Sequence, residues 1–184
     1  MLYKLSSYTP IGKVSALSDL DGLVKVYVEG DEPGASPCEI LSESYAPPAL
    51  LDFRRWLYDY FAEKRPDPSL VSLSLEGSDF RIAVWREILE IPYGAVIGIS
   101  ELSERVSLRL SKKNMPRHVI NAAVLQNPLP ILIPCHRVVT DEGGLLGNAL
   151  HLKRQARLLR LECARGAFAP RGIPVLEKRA FINR

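Results

Sequence analysis

The chain has 184 residues, 47% hydrophobic and 24% charged, with a mean hydropathy of +0.01; this is enough for one large domain or two small ones and too apolar for intrinsic disorder. No run approaches the roughly 18 to 20 apolar residues of a membrane span, and Met1 to Tyr8 lacks the charged and apolar regions of a signal peptide, so a cytoplasmic protein without membrane contact is expected. The net charge of +3 divides unevenly: residues 1–76 hold 7 basic and 12 acidic side chains (net −5), residues 77–184 hold 17 and 9 (net +8). That is the pattern of an acidic supporting part fused to a nucleic-acid-binding part, or of surface charges that merely segregate.

In chain order, Leu23–Val28 reads as a strand by its β-branched content, and Leu70–Leu75 alternates apolar and polar residues as a strand should. Cys38–Leu41, after the turn Gly30–Gly34, is a weaker third strand. Between them a helix of about 15 residues is predicted from Pro48 or Ala49 to Lys64. Phe53, Trp56, Leu57, Tyr60 and Phe61 form its apolar stripe, and Pro66 ends it. The expectation for 1–76 is a small α/β layer, a sheet with one covering helix.

From Gly77 the pattern turns helical. Ser78 can cap a helix whose inward residues are Phe80, Val84, Ile88 and Ile91, stopped by Pro92-Tyr93-Gly94. Ser100 caps a short helix through Val106, and Arg109–Lys113 is an irregular basic stretch. Asn114 and Pro116 then open a helix to about Gln126, with proline in the first turn. This pair is either a helix-turn-helix or an ordinary αα-hairpin. Ile131-Leu132-Ile133 is too apolar to lie outside a core. A last helix runs from its cap Asn148 to about Cys163, with Leu152, Ala156 and Leu159 inward. Residues 165–184 are a tail or an arm against the body.

Three cysteines, Cys38, Cys135 and Cys163, are too few for a disulfide framework, and no C-x-x-C pair suggests zinc. Cys38 and Cys163 read as small buried hydrophobes, with a bridge between them as an option. Cys135 stands beside His136 and Arg137. A thiol nucleophile needs a base and a positive field nearby, which this pairing offers; a structural cysteine beside a surface histidine is the alternative. Adjacent residues of extended backbone point to opposite sides, so a direct Cys135–His136 hydrogen bond is awkward and a water or third residue is implied.

The run Asn127-Pro128-Leu129-Pro130-Ile131-Leu132-Ile133-Pro134-Cys135-His136-Arg137-Val138-Val139 closely resembles the active-site signature of the O6-alkylguanine-DNA alkyltransferases. Phe80–Trp85 and Ile91-Pro92-Tyr93-Gly94 look like that family's entry to its DNA-binding domain, and the likeness extends from about Ser78 to Glu162. The resemblance implies a ribonuclease H-like N-terminal domain over 1–76, a mostly α domain with a helix-turn-helix over 77–164, and a C-terminal extension over 165–184. It implies one-time transfer of an alkyl group to Cys135. His136 would accept the thiol proton through a water, Glu162 would orient the imidazole, and Asn127 would hold the hinge before the acceptor strand. Neither cofactor nor metal is needed.

The implied partner is double-stranded DNA containing O6-alkylguanine, bound through the minor groove by a nucleoid-associated monomer, with the base flipped out. Asn121, Ala122 and Ala123 would permit close approach to the backbone, Arg137 would add positive charge there, and Arg117 or His118 would plug the gap in the duplex. The carbonyls of Cys135 and Val138 would read the guanine amino group. Two departures stand out in the substrate pocket. Ile99 replaces a tyrosine that helps neutralise the departing guanine. After Asn148, Ala149-Leu150-His151 and Gln155 stand where the family has a Gly-rich loop and a lysine, so Lys153 or His151 would have to substitute as donor. A non-catalytic lesion-binding relative is the alternative function; a cysteine hydrolase would need an oxyanion hole of which the sequence gives no sign.

Overall fold

The chain opens with a hairpin that hydropathy patterning does not reveal: β1 (Tyr3–Thr9) and β2 (Gly12–Ser18) pair antiparallel from Tyr3↔Ser18 to Thr9↔Gly12. Serines interrupt the apolar alternation of both strands, and in β2 Ser15 and Ser18 are fully buried beside Val14, Ala16 and Leu17. Their polar composition hides the strand signal. The computed structural model describes residues 1–31, 39–40, 46–112 and 115–163. Cys38, and with it the optional bridge to Cys163, and the segment 165–184 lie outside what it describes.

β3 (Leu23–Val28) forms as predicted and pairs antiparallel with β2, while β4 (Glu39–Ile40) pairs parallel with β1, giving the order β3-β2-β1-β4. Across them lies α1 (Pro48–Phe61). Phe53, Trp56, Leu57 and Tyr60 are buried, and Phe53, Trp56 and Tyr60 stack in series at centroid distances of 6.2 and 5.2 Å. The strand predicted over 70–75 is not one. Pro68–Leu70 is a 3₁₀ turn, and Leu73 makes a single bridge to Leu23, with Leu23 N donating to the Ser72 carbonyl and Ser74 N to the Leu23 carbonyl. The proline pulls the start of the segment into a turn and leaves too few residues for a ladder.

In the second half α2 (Asp79–Leu89) is capped by Ser78, whose Oγ accepts from Arg81 N. Val84, Ile88 and Ile91 are buried as expected, and Phe80 is half-buried. A two-residue strand β5 (Ile97–Gly98) leads into α3 (Ile99–Arg109). Here Gly98 is the N-cap and Ser100 sits in the first turn, where its N and Oγ both donate to Asp141. The helix also runs three residues past Val106, into the stretch predicted as irregular.

After α3 comes α4 (Arg117–Leu125), with Pro116 at its N-cap rather than in its first turn. Then β6 (Val138–Val139) pairs parallel with β5, and α5 (Ala149–Cys163) closes the described chain. Asn148 caps α5 as predicted, its Oδ1 accepting from Leu150 N and His151 N. The deepest face of α5 is Gln155, Leu158 and Glu162, whereas Leu152, Ala156 and Leu159 are only half-buried. A polar side chain can occupy a core when partners satisfy it, so hydropathy alone chose the neighbouring face.

Buried apolar residues from both halves form one continuous cluster, from Val26, Phe53 and Trp56 through Trp85, Ile88 and Leu102 to Leu129, Leu132 and Ile133. The backbone adds a direct link: Val26 N, on the outer strand β3, donates to the Pro128 carbonyl at 2.8 Å. This bond ties the N-terminal sheet to the turn that carries Asn127.

Candidate active site

The segment between α4 and the Cys-His-Arg run is a turn held by one side chain. Asn127 Nδ2 donates to the Ile133 carbonyl at 2.8 Å and its Oδ1 accepts from Leu129 N at 2.9 Å. Within the turn Ile131 has φ +78°, a left-handed conformation that a β-branched residue adopts only when its surroundings impose it. The surroundings here are the two amide bonds and a fully packed side chain, since Leu129, Ile131, Leu132 and Ile133 are all buried. The predicted hinge role of Asn127 therefore has a geometric counterpart.

Cys135–Arg137 is a 3₁₀ turn, not the extended strand the sequence suggested. Pro134 starts it; Arg137 N donates to the Pro134 carbonyl and Val138 N to the Cys135 carbonyl. The coil turns His136 and Arg137 into the core while Cys135 stays half-buried at a cavity. Burial pushes the Cys135 thiol above its usual range, partly countered by the Asn127 side chain. Burial likewise lowers the His136 imidazole, against the pull of Glu162. The resting pair is thus a neutral thiol and a neutral imidazole.

Behind His136 lies a carboxylate with five donors. Glu162 Oε1 faces His136 Nε2 at 2.7 Å, Tyr60 Oη at 2.6 Å and Arg137 Nη2 at 2.9 Å; Oε2 accepts from Arg137 Nε at 2.9 Å and Gly94 N at 3.1 Å. Burial alone would raise the Glu162 carboxyl, but the bonds from His136 and Arg137 outweigh it and hold it well below the carboxylate range. An ionised acceptor requires the proton of the neutral imidazole on Nε2. Nδ1 is then left as the basic nitrogen, and it is buried with no partner among the described residues. Gly94, at φ +77°, adopts a backbone conformation in which a side chain would be strained, and it packs directly against the Glu162 backbone.

Three members of this network escape a sequence reading. Tyr60 looks like one more residue of an apolar stripe, although a buried tyrosine must find a partner for its hydroxyl. Gly94 looks like a helix stop. Arg137, expected at DNA, is 6% exposed, with Nη1 on the Ile91 carbonyl at 2.6 Å and the rest of its guanidinium on Glu162. That placement corrects the expectation: no phosphate can reach it without breaking a buried ion pair.

A cavity of about 190 Å³ opens on Cys135 and His136. Its walls come from Val124, Leu125 and Asn127 on one side, His151, Gln155 and Leu158 of α5 on another, and Val26, Tyr27 and Val28 of β3 opposite. Arg154 bridges α5 to the turn after β3 through Asp31 and the Glu29 carbonyl. The expected pocket residues are elsewhere. Ile99 and Val138 are packed in the core, Asn148 caps α5, and Ala149 and Leu150 face solvent. Of the two proposed substitute donors, His151 lines the cavity and Lys153 is exposed away from it.

On α4, Arg117, His118, Ala122 and Leu125 are exposed, and Asn121 is half-buried. Ala123 is not on this face: it is buried, and its carbonyl accepts from Trp85 Nε1 at 2.9 Å. Its small size serves packing against α2. Arg117 is paired with Asp141 at 2.7 Å, whereas His118 has no partner among the described residues. Among those residues no three His, Cys, Asp or Glu side chains gather as a metal site would require, and no helix is long and apolar enough to cross a membrane.

A family profile described as the DNA-binding domain of 6-O-methylguanine DNA methyltransferase matches residues 79–164. The methylated-DNA–protein-cysteine methyltransferase of Methanosarcina acetivorans is 30% identical over 156 residues, covering 84% of this chain and 94% of the relative. The chain belongs to this family. For the relative of the same name from Methanosarcina barkeri, 36% identical, the match spans 65% of the relative's length, and for that of Mycobacterium bovis, 34% identical, about half (54%). Among solved structures, the O6-methylguanine methyltransferase of Mycobacterium tuberculosis is similar with a TM-score of 0.75 at 27% identity, over 92% of this chain and 97% of that one. The same organism's OGT in complex with DNA is similar with a TM-score of 0.71 at 27% identity, over 92% and 94%.

Proposed function

We propose that this chain repairs DNA by moving the alkyl group of O6-alkylguanine onto Cys135, once per protein molecule. The observation that carries the reading is the placement of a half-buried thiol at a cavity beside an imidazole whose Nε2 is fixed on Glu162 and whose Nδ1 has no partner among the described residues. Nδ1 takes the thiol proton through one water, and Glu162 stabilises the imidazolium that forms. The thiolate attacks the alkyl carbon in line with O6; the S–C bond forms as the C–O6 bond breaks, and the electron pair leaves on guanine. The imidazolium proton returns through solvent to the purine, which departs as neutral guanine. A thioether offers no easy leaving group, so the protein is consumed.

The flipped base is delivered by duplex DNA bound in its minor groove. In this reading α3 and α4 are the helix-turn-helix, and α4 presents His118, Asn121 and Ala122 to the groove, with Arg117 or His118 filling the gap. The division into a supporting part (1–76) and a DNA-binding, acceptor part (77–164) follows the charge split. The order β3-β2-β1-β4, with β4 parallel to β1, supports a ribonuclease H-like reading of the first part. A monomer working on the nucleoid in the cytoplasm suffices for this reaction.

The test is to mix the protein with a duplex carrying one O6-methylguanine and examine the Cys135 peptide by mass spectrometry. Methylation of Cys135 to one equivalent is the expected result. Tight lesion binding with Cys135 unmodified would overturn the reading in favour of a non-catalytic lesion-binding protein.

A further inference from the structure

Three donors meet on one oxygen behind the imidazole. Glu162 Oε1 accepts from His136 Nε2 at 2.7 Å, Tyr60 Oη at 2.6 Å and Arg137 Nη2 at 2.9 Å. Arg137 is the counter-ion of the carboxylate, whereas Tyr60 is neutral and comes from α1, in the other half of the chain. The Tyr60 side chain is buried, 1% exposed, and its ring packs on Trp56 and Tyr93, which holds the hydroxyl away from bulk water. Burial and the charge of Glu162 push the phenol well above the ordinary tyrosine value, so it stays protonated and gives its one proton to the carboxylate. The result is a fixed donor on the very oxygen that the imidazole uses, 3.4 Å from Nε2.

A carboxylate oxygen that already holds a donor has less charge to offer an imidazolium, so each added donor makes the imidazole a weaker base. The proton concerned is the one that His136 Nδ1 takes from the Cys135 thiol through a water, and the inference rests on that alkyl-transfer reading. This step converts thiol and imidazole into thiolate and imidazolium, so the thiolate fraction at neutral pH follows the basicity of the imidazole. We propose that Tyr60 is a positioning residue of the acceptor site: its hydroxyl shares Glu162 Oε1 with His136, weakens the imidazole as a base and thereby holds Cys135 in its unreactive thiol form. In a protein consumed by one transfer, this restraint protects the thiol from stray electrophiles. The other titratable groups around His136 are Cys135 and Arg137 of its own turn and Tyr93 beside Tyr60. Across the cavity stand Lys25, Tyr27, Asp31, His151 and Arg154. Of all these, only Arg137 also reaches Oε1 among the described residues, and its charge is constant with pH.

The direct readout is the NMR titration of the His136 ring over the pH range in which the proteins are folded. Tyr60→Phe should raise the midpoint by about half to one pH unit, a fraction of one hydrogen bond to a charged group. Placing 3-fluorotyrosine, a stronger donor, at position 60 should lower it. Cys135 methylation by a duplex carrying O6-methylguanine is the second readout. The ratio of Tyr60→Phe to wild-type rate constants should be about three to ten at neutral pH, since one pH unit corresponds to a tenfold change in thiolate. It should fall to one below the His136 midpoint, where the thiol loses its proton beside the same imidazolium in both proteins. A contact that only stabilises the fold would move neither readout. An unchanged or lowered midpoint in Tyr60→Phe overturns the inference, and so does a rate ratio at or below one at neutral pH. If Tyr60→Phe fails to fold, the fluorotyrosine protein decides alone, and an unchanged or raised midpoint there overturns it. Failure of the wild-type protein to methylate Cys135 overturns the transfer reading itself, whereas the His136 midpoints judge Tyr60 independently of it.

Discussion

Tyr60 Oη donates to Glu162 Oε1 at 2.6 Å, joining α1 to α5 across 102 residues of sequence. The hydroxyl also lies 3.4 Å from His136 Nε2, and its ring packs edge-on against Tyr93 at 5.9 Å. The N-terminal part thus supplies one of the donors that hold the acid behind the imidazole. Tyr60→Phe keeps the ring and removes that donor. A hydrogen bond to a charged group contributes about 1.5 to 3 kcal/mol, so urea unfolding should show a loss of about 2 kcal/mol with an unchanged m value. A loss near zero would mean that a water replaces the hydroxyl and that the contact is not structural.

The same network sets the acid limb of stability. Glu162 is lowered in the folded state from its ordinary value of 4.5, so its contribution is complete above that value and is lost as pH falls through the folded one. His136 is also lowered, from 6.5, because the fold disfavours its charged form. The unfolded chain therefore binds its proton first, and stability starts to fall as pH drops below about 6.5, with a further loss below about 4.5. Chemical unfolding at a series of pH values should show both stages. His136→Gln, which retains a donor toward Glu162, should remove the upper stage and keep the lower.

What the sequence reveals follows from how each element is stabilised. The stripe of α1, the caps Ser78 and Asn148 and the apolar run 131–133 are local signals, and they lie where patterning puts them. β1 and β2 gain their stability from pairing and burial of serines, which a hydropathy period cannot register. The site divides in the same way. Cys135 and His136 are legible as an adjacent pair, and Asn127 only through the resemblance. Glu162 was legible only through resemblance. Tyr60 and Gly94 act through a partner distant in sequence, and Arg137, which reads as a surface cation, is buried because Glu162 meets it.

Asn127 should matter for both fold and thiol. Asn127→Ala deletes two side chain–backbone bonds, each contributing about 1 kcal/mol, in a turn that must hold Ile131 at positive φ. A loss of about 2 to 3 kcal/mol is expected. The Asn127 amide also lowers the Cys135 thiol against the effect of burial. Its removal should therefore slow alkylation of Cys135 by a small reagent such as iodoacetamide at neutral pH. Faster alkylation would show that loosening of the turn outweighs the lost hydrogen bond.

Arg117 and His118 are adjacent on the exposed start of α4 and should fail differently when removed. Arg117 already pairs with Asp141, but that pair is at the surface, with the arginine side chain 67% exposed, and such pairs contribute at most about 1 kcal/mol. Phosphate can displace it. Arg117→Ala should weaken damaged and undamaged duplexes alike and reduce the slope of log affinity against log salt by about 0.9, the value for one phosphate contact. His118 is exposed and has no partner among the described residues, and a side chain that fills the place of a flipped base acts only once the base has left the stack. His118→Ala should therefore weaken binding of the O6-methylguanine duplex more than binding of its undamaged counterpart. Should both variants bind both duplexes as the wild-type protein does, α4 does not enter the groove at this end, and the gap-filling role assigned to the pair is wrong.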